Sequence, residues 1–237
     1  MDDGKVAIVT GAGSGVGEQV VVRLSELGYR CVLVGRTVEK LERVGAGLAG
    51  EWFAVGGDVG VDVDRARIVD AAMDRFGRVD ALVNNAGVAV FGKMGEITAE
   101  EMEGMFAVNA VGPVDLARRV VGQMSDRGSG VIVNVSSMAQ VDPFDGLGVY
   151  GCTKGAVGVL AKAVANEYGT LSNGGGVRGY SLCPGAIETG MLRSFVSEEM
   201  LPSEATLTAR EVAERVVGLV TGEFGAENGA VIEMPSP

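Results

Sequence analysis

Tyr150 and Lys154 stand four residues apart in Tyr150-Gly151-Cys152-Thr153-Lys154. On a helix that spacing puts both side chains on one face, where an ammonium can lie beside a phenol. A free tyrosine, with a pKa of about 10, is a poor base at neutral pH. A neighbouring cation stabilises the phenolate, lowers that value and makes proton exchange with an alcohol oxygen feasible. Alone, such a pair is more often a half-buried tyrosine beside a solvated lysine. Its surroundings change the weighting. Val131-Ile132-Val133-Asn134-Val135-Ser136-Ser137 reads as a strand ending in two hydroxyls, the second thirteen residues before Tyr150. Asn84-Asn85-Ala86-Gly87 closes another strand, and Asn109 lies in the helix pattern after it.

A second group of residues could hold a dinucleotide. Thr10-Gly11-Ala12-Gly13-Ser14-Gly15-Val16-Gly17 follows an apolar run and opens a helix pattern. Gly11 and Gly15 would let the backbone turn tightly and approach a pyrophosphate, and Gly17 would let the helix pack closely. The helix N-terminus then offers free N–H groups and partial positive charge. Strand before and helix after are the context this motif needs. NAD-binding sheets commonly place a carboxylate at the end of the second strand, on the ribose 2′-OH. Here Cys31-Val32-Leu33-Val34 ends in Gly35-Arg36-Thr37, without Asp or Glu. Arg36 offers a planar cation suited to a 2′-phosphate, unless it is merely a solvated surface residue. A charge-assisted hydrogen bond is worth about 1.5–3 kcal/mol, enough to favour NADP(H) over NAD(H) by roughly one to two decades.

The chain contains no histidine. Ser-His-Asp hydrolysis and His-ligated zinc are therefore excluded, and acid/base chemistry must run on Tyr, Lys, Cys or carboxylates. A net charge of −11 makes nucleic acid a poor partner. Cys31, Cys152 and Cys183 are odd in number and far apart, as suits free thiols in the cytoplasm. Met1-Asp2-Asp3-Gly4 leads straight into a strand-like segment, with no basic leader, and no apolar stretch is long enough for a membrane span.

Seven short β-branched runs must carry these groups: 6–10, 31–34, 52–55, 81–84, 131–135, 177–182 and 230–233. Several are apolar throughout, as parallel strands covered on both faces are. Helix patterns lie between them at 15–27, 38–48, 62–76, 99–123, 150–169 and 209–221, with a possible capping box at Thr98–Glu101. The alternation predicts an α/β fold, a doubly wound parallel seven-stranded sheet of Rossmann type. Residues 1–237 form a single domain, since Asn173-Gly174-Gly175-Gly176 is only a turn.

With these residues in register, the sequence resembles the short-chain dehydrogenase/reductases of about this length, and is similar to 3-oxoacyl reductases. The match runs through the glycine turn, Asp58-Val59, Asn84 to Gly87, Asn109, Ser137, Tyr150, Lys154, and Pro184-Gly185 with Thr189. The resemblance implies an NADP(H)-dependent oxidoreductase interconverting a carbonyl and a secondary alcohol. Tyr150 would exchange the proton and Ser137 would orient the substrate oxygen; the spacing favours Ser137 over Ser136. Lys154 would lower the tyrosine pKa and bind the nicotinamide ribose, and Asn109 would hold a water linking Lys154 to solvent. Asp58 and Val59 would flank the adenine. Asn85, Ala86 and Gly87, with Pro184, Gly185, Ile187 and Thr189, would line the nicotinamide half. The resemblance also implies a homo-oligomer, a tetramer or dimer. The alternatives are a non-catalytic NADP(H)-binding regulator or scaffold on the same fold, or a nicotinamide-dependent epimerase or dehydratase.

Some positions depart from the family pattern. Gln140 replaces a frequent Gly and Cys183 a frequent Ser or Asn, and both are expected to face the substrate. The C-terminal Ala230–Pro235 lacks the usual Asp-Gly-Gly. Cys152, with no base beside it, is expected to be a small packed residue. Residues 190–208 are expected to form a flap. Its Met191, Leu192, Phe195, Met200 and Leu201, with Met138, Val141, Phe144 and Leu147, suggest an apolar pocket, though they could equally be core. A small ketone, an aldehyde or a CoA-type thioester ranks above a carrier-bound substrate, because an acidic chain offers no basic dock for an acidic carrier.

Overall fold

The computed structural model describes residues 4–172 and 174–237. Met1 to Asp3, and Asn173 of the glycine-rich turn, lie outside the described residues. Seven strands form: β1 (Val6–Thr10), β2 (Arg30–Gly35), β3 (Trp52–Gly56), β4 (Ala81–Asn84), β5 (Ser129–Val135), β6 (Gly176–Pro184) and β7 (Val231–Met234). All pair in parallel in the order β3-β2-β1-β4-β5-β6-β7. The central strands are apolar throughout because both faces are covered: β1 and β4 are buried along their whole length.

Between them lie α1 (Gly15–Glu26), α2 (Val38–Gly45), α3 (Asp62–Phe76), α4 (Ala99–Phe106), α5 (Gly112–Asp126), α6 (Gly148–Tyr168), the single turn α7 (Gly190–Arg193) and α8 (Ala209–Thr221). One core joins α1, α2 and α8 to one face of the sheet, through Val20, Leu24, Leu41 and Val216. The other joins α3 and α5 to the opposite face, through Ile68, Leu116, Val120 and Met124. The sheet reverses direction at β1, whose neighbours are β2 and β4. At such a reversal the connections diverge to opposite faces and leave a crevice beyond the strand C-termini.

The helix expected over 99–123 is divided. It opens with the expected capping box, Thr98 with Glu101, and runs as α4 to Phe106. It then widens into a π-helical stretch, Ala107–Val111, before α5 begins. The cause is in the sequence. Pro113 has no N–H to give to the carbonyl four residues back, that of Asn109, so the regular ladder cannot pass through. The apolar period continues across the break, which is why the pattern reads as one helix.

Candidate active site

A cleft of about 570 Å³ opens at the reversal point, lined from the C-terminal ends of β1 to β6. At one end stands the glycine turn. Gly11 and Gly15 have φ of 68° and 56°, the left-handed region open to glycine. A Cβ on Gly17 would lie 2.3 Å from the Gly11 carbonyl oxygen, so α1 can approach the turn only with glycine there. No side chain caps α1 at Ser14, so its first amides face the cleft. Gly13 and Val16 complete this wall.

Asn85 and Thr10 lock the turn to β4. Asn85 Nδ2 donates to the Thr10 carbonyl at 2.9 Å, and Thr10 Oγ1 accepts from the amides of Asn85 and Ala86, both at 3.0 Å. Asp58 and Val59 follow β3. Asp58 Oδ1 accepts from the Gly60 amide at 2.8 Å, and Asp64 accepts from the Asp58 amide at 2.8 Å. Arg65 donates to the Val59 carbonyl at 2.9 Å. Asp64 and Arg65 were not singled out in the sequence, because what they hold is the backbone of Asp58 and Val59.

Arg36 lines the cleft beyond β2 and is exposed. Lys40, on the first turn of α2, lines the same end. Neither takes part in a salt bridge among the described residues. Lys40 was missed, although its spacing of four from Arg36 was there to be read.

Tyr150 and Lys154 lie on the first turns of α6, at the centre of the cleft. The ammonium is 5.8 Å from the phenol ring centroid, on the shared face that the spacing requires. Lys154 Nζ donates to the Val135 carbonyl at 2.9 Å. The phenol does not behave as expected from its neighbour. Burial pushes it up to about 12, and what opposes the rise is a hydrogen bond with Ser137. Burial also draws the Lys154 ammonium down to about 8, opposed by Cys183. Desolvation therefore sets the direction of the Tyr150 shift, and the Ser137 hydrogen bond opposes it.

The two serines are separated by their partners. Ser136 Oγ is buried, 2.8 Å from Gln140 Oε1 and 3.0 Å from the Lys154 carbonyl, which share its single proton. Ser137 Oγ accepts from the Ala139 amide at 3.1 Å and faces Tyr150. Asn109 is buried; it exchanges hydrogen bonds with the Val88 backbone at 2.9 and 2.7 Å and donates to Thr153 Oγ1 at 3.0 Å. Thr153 in turn donates to the Tyr150 carbonyl at 2.7 Å, so the π-helical stretch braces the first turn of α6. A Cβ on Gly87 would lie 3.2 Å from Lys154 Nζ and 3.3 Å from Asn109 Oδ1, which brings all three together.

Beyond β6, Ile187 and Thr189 line the cleft, and the Thr189 methyl lies 3.4 Å from where a Gly15 Cβ would stand. Pro184 and Gly185 stand behind that wall, the Gly185 amide donating to the Met234 carbonyl at 2.9 Å. The segment from 190 is tied down at its far end, because Leu207 is buried and bridges to Ile187. Gln140 and Cys183 are partners of each other. Gln140 Nε2 donates to Cys183 Sγ at 3.0 Å, and Cys183 is fully buried behind Lys154. Cys152 is exposed rather than packed. A larger groove, about 810 Å³, runs between α1 and α8. Arg23 pairs with Glu26 there at 2.7 Å and Arg210 with Glu214 at 3.0 Å, and none of this chemistry reaches it.

The family described as short chain dehydrogenase matches residues 5–200. An uncharacterized oxidoreductase of Thermotoga maritima is 32% identical, over 98% of this chain and 96% of that protein. A 2-(R)-hydroxypropyl-CoM dehydrogenase of Xanthobacter autotrophicus is 34% identical, over 97% and 96%. A crystal structure of 3-ketoacyl-(acyl-carrier-protein) reductase from Brucella melitensis, complexed with NADH, superposes with a TM-score of 0.88 at 32% identity, covering 97% of this chain and 96% of that one.

Proposed function

The chain belongs to the short-chain dehydrogenase family of oxidoreductases, and from that premise we propose that it reduces a carbonyl with NADP(H) in preference to NAD(H), Tyr150 delivering the proton. The observation that carries this reading is the convergence of Tyr150 and Lys154 in a cleft whose far end holds two cations, Arg36 and Lys40, with Ser137 hydrogen-bonded to the phenol.

The cleft fits a nicotinamide dinucleotide. The glycine turn leaves a cradle that Cβ atoms would fill, the uncapped α1 amides suit a pyrophosphate, and Arg36 with Lys40 suits a 2′-phosphate. When bound, the dinucleotide supplies the hydride. Asp58 and Val59 would flank its adenine, while Asn85, Ala86, Gly87, Ile187 and Thr189 would border its nicotinamide half. Pro184 and Gly185 set the position of that last turn. Ser137 holds the substrate oxygen against Tyr150. A phenol held up near 12 is protonated at neutral pH, and so ready to donate to that oxygen. Lys154 keeps a positive charge below the phenol, and Asn109 holds the helix turn that carries both. An assignment of Asn109 to a solvent-linked water belongs to this same proposal. Exposed Met102, Phe106, Val111 and Val114, with Val159 on α6, support association of copies into a dimer or tetramer. The free thiols suit a cytoplasmic enzyme.

Calorimetric titration with NADPH and, separately, NADH tests the reading. NADPH is expected to bind about ten- to hundredfold tighter, with Arg36→Ala removing most of the difference. Equal or tighter NADH binding defeats the Arg36 and Lys40 assignment, and failure to bind either defeats the oxidoreductase mechanism. A single-chain mass by light scattering on the same sample would remove the oligomer.

A further inference from the structure

Three loops surround the carbonyl position between Ser137 and Tyr150: residues 88–98 after β4, 138–147 after β5, and 185–208 after β6. They are joined by apolar contact. The Phe91 ring of the first loop stacks on Phe195 of the third, with centroids 5.9 Å apart and planes 11° from parallel. The second loop closes on the same ring: a Cβ at Gly146 would lie 2.7 Å from Phe91 Cζ, and the Gly92 amide donates to the Gly146 carbonyl at 3.0 Å. Met94 reaches the start of α6, its methyl 3.8 Å from where a Gly148 Cβ would stand, two residues before Tyr150. Met94, Phe144 and Met200 extend from these loops at 69–75% exposure, so large apolar side chains border the entrance instead of filling the core.

The charge on the loops is predominantly negative. Arg193 is held by Glu188 and by the Leu201 carbonyl, which leaves it internally satisfied. Lys93 is then the only other cation among these residues, against Glu96, Asp142, Asp145, Glu198, Glu199 and Glu204. The opposite end of the cleft carries Arg36 and Lys40, with no salt bridge among the described residues. Cations thus stand at the end of the cleft where phosphates would lie, while the three loops carry a net negative charge and a stacked aromatic pair.

We infer that the enzyme selects an uncharged, hydrophobic ketone or secondary alcohol, and discriminates against substrates that carry an anionic group near the reacting carbon. This rests on the oxidoreductase reading above and narrows it. Apolar substrate surface gains by leaving water against Phe91, Phe195 and Met94. An anionic tail meets net negative charge on the loops after β5 and β6, a repulsion that salt screens.

The probe is a matched pair, methyl 7-oxooctanoate and 7-oxooctanoate, which present the same ketone on the same chain with and without a carboxylate. Reduction is followed by nicotinamide absorbance with NADPH and NADH both tried at saturation. The ester is expected to show at least a tenfold higher kcat/KM, carried mainly by KM. The gap should narrow in 0.5 M salt and in the Asp142→Asn/Asp145→Asn variant, and Phe91→Ala should raise KM for the ester. An acid reduced as well as the ester overturns the inference. So does a protein that binds the dinucleotide yet reduces neither, which leaves the cofactor reading standing. Failure to bind either dinucleotide removes the reading itself, and the inference with it.

Discussion

Burial acts on Tyr150 and Lys154 in opposite directions, because one is neutral when protonated and the other charged. The phenol is pushed up to about 12 and the ammonium drawn down to about 8. Reduction should therefore slow as pH rises through about 8, where Lys154 loses its charge, well before the phenol ionises. The same shift bears on stability. The folded Lys154 value lies below the unfolded one of about 10.4, so the unfolded chain holds the proton more tightly. The cost is full below pH 8, shrinks between 8 and the unfolded value, and is absent above it. Lys154→Met is expected to raise thermal stability at pH 7 by about 1 kcal/mol, with the gain gone near pH 11, while reduction is lost. A variant less stable than the parent at pH 7 would show that the charge is compensated. Gln140 and Cys183 bear on the same residue. Their types were conspicuous in the sequence, but only the fold shows Gln140 joining Cys183 to Ser136 and hence to the Lys154 backbone.

The helices position the site through charges and breaks that local pattern conveys unevenly. Asp115 on α5 accepts from Arg65, Arg118 and Arg119. Burial would raise its carboxyl, but the three guanidinium bonds outweigh that and hold it far below the usual carboxylate range. Its folded value lies below the unfolded one of about 3.9, so this stabilisation is present above that pH and lost as pH falls below it. Asp115→Ala leaves the buried Arg65 with only Asp62 and the Val59 carbonyl, and should cost about 3 kcal/mol in denaturant unfolding at pH 7. The difference from the parent should begin to shrink as pH falls below the unfolded value of about 3.9 and close only well below it; a loss under 1 kcal/mol at pH 7 would make the cluster incidental. Because Arg65 also holds Val59, the variant should weaken dinucleotide binding as well. Strands were legible here because burial on both faces demands continuous apolar runs, and all seven form where expected within a few residues. The π-helical stretch was not, because Pro113 and Asn109 mark it without disturbing the apolar period.

Over the whole molecule, the parallel order places six strand ends around one cleft, and so gathers residues from Gly11 to Thr189. The glycine turn, Asn85 to Gly87, Tyr150 and Lys154 could be read in the sequence because each motif sits where a strand ends or a helix begins. The gathering of the acidic loops needed the fold, because charges distant in the chain form an electrostatic pattern only once assembled. In a chain of net charge −11, two cations at the dinucleotide end are the local exception. The most direct measurement of the central claim compares the parent with Tyr150→Phe, in NADPH binding and in single-turnover reduction of a hydrophobic ketone. The account predicts an NADPH Kd within about threefold of the parent and a reduction rate lower by roughly 10²–10⁴-fold. A phenylalanine variant that still reduces the ketone at the parent's rate would contradict it, because the proton would then come from elsewhere.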